Sequence, residues 1–210
     1  MQCPLCSTDN QNHFSVVNEK LYYDCHCCGL VYLDRRFYLS EQEEKQRYLS
    51  HENNPKDPRY QTFLQPAVDS LLPYLKNNCL GLDFGCGNGS PLAHMFAQYG
   101  HKLYGYDPFF YPDQERLNTY YDFIVSTETF EHLHQPKQEF KRLLTCLNKG
   151  GYICVMTQFL IDKADFERWY YHRDPSHTLF FNTISFQYLA QMFDCAVSFP
   201  QKNIALFKVE

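Results

Sequence analysis

The sequence lacks the features of a membrane protein, a fibre or a disordered tail. No apolar run approaches the ~20 residues that a membrane-spanning helix needs, and low-complexity tracts and internal repeats are missing. The first ten residues, MQCPLCSTDN, are mostly polar and contain no apolar run, which predicts a soluble, unprocessed, cytoplasmic protein. A chain of 210 residues with 44% hydrophobic content is expected to fold as one main domain with a small appendage.

Basic residues are in deficit. The 24 acidic and 19 basic side chains leave a formal net charge of -5, which repels a polyanion over long range. The charge balance therefore argues against nucleic acid as a partner, although it leaves a local basic groove open.

Cysteine is abundant and unevenly placed, since five of the ten cysteines lie within the first 28 residues. A disulfide framework would spread its cysteines through the chain. Here two Cys-x-x-Cys pairs, Cys3 with Cys6 and Cys25 with Cys28, are separated by 18 residues. This spacing is typical of a four-thiolate zinc ribbon, in which two short loops complete a tetrahedron around one ion. We predict a closed, structural zinc site there, with Cys27 as a bystander or a substitute.

The segment between residues 37 and 78 is rich in charged and aromatic side chains. Pro55 and Pro58 interrupt any continuous helix. Beyond them, apolar residues at helical spacing predict an amphipathic helix that begins around Pro66 and ends near Asn77.

A glycine-rich loop follows a predicted buried strand at residues 79–84. Glycines 85, 87 and 89 permit positive φ angles and let a ligand lie against bare backbone at the mouth of a helix. The next strand ends at Asp107, 18 residues after Gly89, where an acid can accept both ribose hydroxyls of an adenosine cofactor. The later alternation of strands and helices predicts a parallel sheet flanked by helices, and residues 196–208 predict an antiparallel C-terminal hairpin.

From residue 79 onward the chain resembles the class I S-adenosylmethionine-dependent methyltransferases, through residues 82–89, Tyr106-Asp107 and residues 147–151. With its cysteine-rich start, it resembles bacterial members that carry an N-terminal zinc ribbon. The resemblance implies a Rossmann-like, doubly wound α/β sheet, mostly parallel with an antiparallel C-terminal strand. It divides the chain into a ribbon (1–36), a helical linker or lid (37–78) and a methyltransferase domain (79–210).

The same resemblance implies S-adenosylmethionine as the cofactor, bound by Asp83, Gly85, Cys86, Gly87, Gly89, Asp107, Pro108 and Thr127. Related methyltransferases place a lid before the sheet, which implies that role for His51, Asn53 and Asn54, although a solvated loop explains the same residues.

One departure from the family pattern stands out: only 14 residues separate Asp107 from Asp122. We therefore expect the usual strand and helix between them to be reduced or absent, which leaves Phe109 and Tyr120 as candidates for adenine contact.

Reacting groups are expected at the tip of the strand that ends near Thr127. Glu128, Glu131 and His132 lie at positions i, i+3 and i+4, so we expect them to share one helical face. Two carboxylates and an imidazole at one point need a proton or a cation, and His177 from a later loop is a fourth candidate.

These four residues resemble the metal site of small-RNA 2′-hydroxyl methyltransferases and the pattern of ubiquinone-pathway O-methyltransferases. That resemblance implies a divalent ion that holds substrate hydroxyl oxygens beside the donor methyl. A metal-free acid/base or positioning role for Glu131 and His132 is the alternative.

Together these patterns predict methyl transfer from S-adenosylmethionine to a hydroxyl or amine of a small molecule, with oxygen preferred because of the metal hypothesis. One alternative is an RNA methyltransferase that reads RNA with the ribbon, and the acidic balance argues against it. Another is a non-catalytic module that recruits a partner through the ribbon, and the intact glycine loop with Asp107 argues against that.

Overall fold

The computed structural model describes residues 2–50 and 57–210. The predicted lid residues His51, Asn53 and Asn54 lie outside the described residues. Within the described part, ten strands form two sheets, and the chain also contains five α-helices. The strands are β1 (Gln11–Val17), β2 (Lys20–Cys25), β3 (Val31–Leu33), β4 (Leu80–Phe84), β5 (Lys102–Tyr106), β6 (Tyr121–Thr127), β7 (Leu147–Met156), β8 (Leu179–Phe180), β9 (Ala196–Gln201) and β10 (Ile204–Lys208). The helices are α1 (Glu41–Leu49), α2 (Pro58–Leu71), α3 (Pro91–Ala97), α4 (Pro136–Thr145) and α5 (Thr183–Met192).

The larger sheet has six strands in the order β5-β4-β6-β7-β10-β9. The first four are parallel, and β10 runs antiparallel to both β7 and β9. Alternate residues of β6 face opposite layers: Phe123 packs with residues of α2 and α3, and Ile124 packs with residues of α4 and α5. This arrangement confirms the predicted doubly wound sheet with an antiparallel C-terminal hairpin.

The expected shortening after Asp107 is also confirmed. Between β5 and β6 the chain forms one isolated bridge, Asp107 with Tyr111, and a single turn of 3₁₀ helix over Gln114–Asn118. Among the strands that the structure describes, none lies beyond β5, so β5 forms the edge of the sheet. Among the described residues, no helix has both the length and the apolar character needed to cross a bilayer.

Helix α2 begins earlier than the sequence predicts. Asp57 caps it by accepting from the Arg59 amide, and Pro58 stands at the first helical position, where a missing N–H costs nothing. Pro66 therefore lies inside the helix and does not start it. The buried face that includes Leu64 and Val68 packs on the sheet, which offsets the hydrogen bond that Pro66 cannot make.

The smaller sheet joins distant parts of the chain. Its order is β1-β2-β3-β8, and all its pairings are antiparallel. Strands β1 to β3 belong to the predicted ribbon, whereas β8 comes from the loop region after β7. The two parts also share a buried cluster in which Tyr22, Val31 and Leu33 pack with Phe166 and Phe180. The ribbon therefore packs against the larger domain through both a shared sheet and a shared buried cluster.

Candidate active site

The glycine-rich loop leaves the carboxyl end of β4 and turns sharply into α3. Gly85 and Gly87 have φ angles of 79° and 60°, which side chains rarely tolerate. A Cβ atom at Gly85 would lie 2.3 Å from Thr129 Oγ1, so the loop packs directly on the segment after β6. The Gly87 amide donates to the Asp107 carboxylate at 3.0 Å, and this bond joins the loop to the tip of β5.

Asp107 is held firmly in place. Its second carboxylate oxygen, Oδ1, accepts from the amides of Phe109 and Phe110 at 2.8 and 3.1 Å, and the side chain is buried. A carboxylate offers about four acceptor positions, so one remains for a hydroxyl group of a ligand. This geometry suits the ribose role that the sequence predicts for Asp107.

Asp83, the last acidic residue before the loop, is buried at the end of β4. The Ser90 hydroxyl donates to its carboxylate at 2.5 Å. Burial raises the pKa of Asp83 to about 7, and the nearby charge of Asp107 adds to that effect. A carboxyl group in this state gains ionisation when a cation binds beside it, so an ammonium group of a ligand fits here.

One cavity of about 840 Å³ connects these features. Its volume lies within the range of ordinary ligand sites, roughly 300–1,000 Å³. Phe109 lines this cavity, whereas Tyr120 is exposed and outside the lining, which leaves Phe109 as the candidate for adenine contact. The cavity is lined by every residue predicted to bind the cofactor: Asp83, Gly85, Cys86, Gly87, Gly89, Asp107, Pro108 and Thr127.

The helical face predicted for Glu128, Glu131 and His132 is wrong. Glu128 follows β6 with a φ angle of 48°, so the chain turns there, and only residues 130–132 form a 3₁₀ turn. The ligand atoms of Glu131, His132 and His177 nevertheless lie within 4.8 Å of one another, and Glu128 is outside that group. We call Glu131, His132 and His177 the acid–histidine cluster.

Both histidines of the cluster are oriented by backbone carbonyls. His132 Nδ1 lies 3.0 Å from the Ser176 carbonyl oxygen, and His177 Nδ1 lies 2.7 Å from that of Tyr171. Since a carbonyl only accepts, each Nδ1 carries a proton, which leaves Nε2 as the ring nitrogen that can bind a metal or accept a proton when the imidazole is neutral. Burial lowers the pKa of His177 to about 4, and the neighbouring His132 contributes. His177 is therefore neutral at pH 7.

Tyr171 joins the two glutamates. Its hydroxyl donates to Glu131 Oε1 and lies 3.1 Å from Glu128 Oε2. Burial, followed by the charge of Glu131, raises the pKa of Glu128 to about 9, so Glu128 keeps its proton at neutral pH. Glu131 Oε2 is buried without a hydrogen-bond partner. Burying a carboxylate oxygen lowers the stability of the fold unless a cation or a hydrogen-bond donor contacts it. Nothing in the aromatic run 169–173 singles out Tyr171 from the sequence.

Helix α1 lies within the segment predicted as a helical linker or lid, and its residues Glu44, Arg47 and Tyr48 line the cavity. Arg47 forms a double hydrogen bond with Asp174, the shorter distance being 2.6 Å. The Tyr48 ring meets the edge of His132, with the ring centroids 5.3 Å apart, and also contacts Phe109. Tyr48 therefore bridges the cofactor side of the cavity and the acid–histidine cluster.

The four predicted zinc ligands converge at a separate point. The ligand atoms of Cys3, Cys6, Cys25 and Cys28 lie within 4.8 Å of one another. The Sγ separations of the Cys3–Cys28 and Cys6–Cys25 pairs are 3.6 and 3.4 Å, near the ~3.8 Å expected for a tetrahedron with metal–sulfur bonds of about 2.3 Å. Cys27 is exposed and outside the group.

A mostly parallel sheet with a glycine loop after β4 and a fixed acid at the tip of β5 is typical of Rossmann-like domains that bind an adenosine cofactor, as expected for the class I methyltransferase fold. Comparison with known proteins leads to the same class. The family model described as "Methyltransferase domain" matches residues 57–197. The chain therefore belongs to the methyltransferase domain family. Among curated proteins, no sequence matches it.

Several solved structures share this fold at low sequence identity. A Burkholderia thailandensis 1,6-didemethyltoxoflavin-N1-methyltransferase, with its acceptor and S-adenosylhomocysteine bound, is 12% identical with a TM-score of 0.56, covering 95% of this chain and 99% of that chain. The Synechocystis PCC 6803 magnesium protoporphyrin IX methyltransferase, with bound S-adenosylhomocysteine, is 13% identical with a TM-score of 0.57, covering 84% and 98%. A chain of the Haloferax volcanii complex between the Trm112 methyltransferase activator and a methyltransferase is 12% identical with a TM-score of 0.53, covering 74% and 95%.

Proposed function

We propose that this methyltransferase transfers the methyl group of S-adenosylmethionine to a hydroxyl oxygen, in preference to an amine, of a small molecule. We further propose that Glu131, His132 and His177 hold a divalent ion at the acceptor side of the cavity. The observation that carries the proposal is the shared location of two sets of groups: His132 and His177 line the same cavity as the glycine loop and Asp107.

The cofactor side of the cavity fits an adenosyl sulfonium with an amino acid tail. In this proposal Asp83 binds the ammonium group, Asp107 accepts from a ribose hydroxyl and Phe109 contacts the adenine ring. The bare backbone of the glycine loop admits the part of the donor between them. Two of the structural neighbours were solved with S-adenosylhomocysteine bound, which supports the same class of ligand here.

The acceptor side fits a divalent ion. The arrangement offers two Nε2 lone pairs and the unpartnered Glu131 Oε2, a mixed N/O set that suits Mg, Mn, Fe or Zn. Hydrogen bonds from Nδ1 to backbone carbonyls are the usual support of metal-binding histidines. When bound, such an ion would lower the pKa of an acceptor hydroxyl and orient it.

The protein's own groups then provide positioning and proton control. Methyl transfer is an in-line displacement, so most acceleration comes from holding the two reactants in register. Tyr171 fixes Glu131 through its hydroxyl, and Glu128 beside it keeps its proton at neutral pH because burial raises its pKa. In a metal-free reaction, the free Nε2 of His132 would serve as the base that accepts the hydroxyl proton.

Elemental analysis of metals tests the divalent ion. We expect two metal sites per chain: His132→Ala and His177→Ala lose one, and Cys28→Ser loses the ribbon zinc. Two matched controls, His94→Ala on the exposed face of α3 and Cys27→Ser next to a ligand, should keep both. One zinc per chain in the wild type, with activity unaffected by a chelator that leaves the ribbon loaded, would contradict the second site.

Calorimetry with S-adenosylmethionine tests the enzyme against a non-catalytic module, because folded, zinc-loaded protein that fails to bind the donor cannot transfer its methyl group. Metabolite profiling with a labelled methyl donor, compared between strains with and without the protein, would identify the acceptor. RNA provides the counter-test: if RNA binds at low salt and competes with the acceptor, the small-molecule proposal fails.

A further inference from the structure

Thr178 lies between the ribbon and the acid–histidine cluster. On one side, its carbonyl oxygen accepts from the Leu33 amide of β3 at 2.8 Å. On the other side, its amide donates to the Glu131 carbonyl oxygen at 2.8 Å, and its hydroxyl donates to the same oxygen at 3.3 Å. Thr178 and Glu131 are both completely buried. A continuous chain of hydrogen bonds therefore leads from the ribbon to the backbone of a cluster residue.

The other members of the cluster depend on the same region. His177 immediately precedes Thr178, and its imidazole donates to the Tyr171 carbonyl. Tyr171, which also binds the Glu131 carboxylate, is buried in the cluster that contains Tyr22 and Leu33 of the ribbon. We infer that the packing of the ribbon against this region determines the distance between Glu131 and His177.

The zinc ligands determine where β3 begins. Cys25 ends β2, and its amide donates to the Leu30 carbonyl at 3.0 Å, while the Gly29 amide donates back to the Cys25 carbonyl at 2.8 Å. This tight turn contains Cys28 and leads directly into β3. Because a small ribbon depends on its metal for folding, loss of the ion would release the turn and with it the Leu33 amide.

We propose that Thr178 is a positioning residue that couples the zinc ribbon to the acid–histidine cluster, so that the ribbon is a working part of the active site. The inference rests on the proposed function only in taking that cluster as the acceptor side of the site. The hydrogen bonds that carry it require neither an acceptor nor methyl transfer.

Three threonine variants test the coupling. Thr178→Val removes the hydroxyl and keeps the shape and the amide, whereas Thr178→Ser keeps the hydroxyl. Thr145→Val is the matched control, because the exposed Thr145 hydroxyl also donates to a backbone carbonyl, that of Arg142, at 2.6 Å. The spectroscopic measurement is NMR of the histidine ring N–H groups in the zinc-loaded 210-residue chain, followed by titration with Co²⁺ as the probe of the second site.

We expect Thr178→Val to shift or broaden the His132 and His177 ring signals and to weaken Co²⁺ binding by about tenfold. Thr178→Ser should remain within about twofold of the wild type, and Thr145→Val should match it. Donor affinity should change less than about twofold in all three, since Asp83 lies on β4 and Asp107 directly follows β5. Wild-type ring signals and Co²⁺ affinity in Thr178→Val would overturn the proposal. Failure of Co²⁺ to bind even the wild type would refute the second metal instead, and the ring signals would still test the coupling.

Hydrogen exchange tests the ribbon itself without any substitution. Removing the zinc from the wild-type chain with a thiol-reactive mercurial and a chelator should accelerate exchange of the Thr178 amide by more than about tenfold. The Ile124 amide, in the centre of the large sheet, should keep its protection. Unchanged protection of Thr178 after loss of the zinc would show that the ribbon does not hold the cluster.

Discussion

Gly85→Ala is the substitution for which the structure predicts the most specific outcome. Gly85 has a φ angle of 79°, and an added Cβ would lie 2.3 Å from Thr129 Oγ1, 2.4 Å from its Cγ2 and 2.9 Å from its Cβ. Two costs therefore add: backbone strain at positive φ, roughly 1–2 kcal/mol, and overpacking against Thr129, about 1–3 kcal/mol.

Gly150→Ala separates the two costs. Gly150 has almost the same φ angle, 78°, but a Cβ there would meet nothing within 4 Å. Both substitutions restrict the unfolded chain equally, so their difference in the free energy of unfolding isolates the steric term. We expect Gly85→Ala to be the less stable by about 1–3 kcal/mol, measured by urea unfolding without ligand.

Donor binding gives the functional measurement. Gly85→Ala should weaken S-adenosylmethionine binding by at least about tenfold in calorimetry, because Thr129 and the loop must move apart, and Gly150→Ala should leave it unchanged. Adding Thr129→Ala to Gly85→Ala removes the two closest contacts and should recover part of the lost stability. Equal stability and equal donor affinity of the two alanine variants would refute the steric argument.

Two further predictions follow from charged side chains. Burial raises the pKa of Asp83 to about 7, so the carboxylate that binds the donor ammonium is lost below that pH. Donor affinity should therefore fall by up to about tenfold for each pH unit below 7. Calorimetry between pH 5 and 8 should show this slope in the wild type but not in Asp83→Asn. The native pKa lies above the unfolded value of about 3.9, so the stability from protonated Asp83 is complete below pH 4 and is lost as the pH rises through 7. Arg47→Met should lower the free energy of unfolding by about 1–3 kcal/mol, because Asp174 is only 14% exposed. The same change at Arg59, which is 92% exposed in its pair with Asp57, should have a much smaller effect.

Each of these has a clear contradicting result. A donor affinity that is flat across pH 7 in the wild type would show that Asp83 does not bind the ammonium group. Equal unfolding free energies for Arg47→Met and Arg59→Met would show that the pair with Asp174 contributes no more than an exposed ion pair.

Several features were predictable because they depend on short stretches of chain. Three local patterns belong here: the two Cys-x-x-Cys pairs, the glycine loop and the acid at the end of the next strand. Their spacing along the chain is enough to predict which residues lie close together. The 14 residues between Asp107 and Asp122 likewise excluded a full strand–helix unit by length alone. The mostly parallel sheet and its C-terminal hairpin follow from the alternation of apolar runs.

The sequence by itself therefore determined the class of fold, the four cysteines that converge at the predicted zinc site and the residues around the cofactor side of the cavity. Only the tertiary structure placed Tyr171 between Glu128 and Glu131, brought Tyr48 of α1 against His132 and paired β8 with the ribbon sheet. Local spacing predicted Glu128 and Glu131 on one helical turn, but the backbone at Glu128 has a positive φ angle and no helix forms at that residue. Contacts between residues far apart in sequence are chosen by packing, because many placements satisfy the same local pattern and only one buries these side chains with their partners.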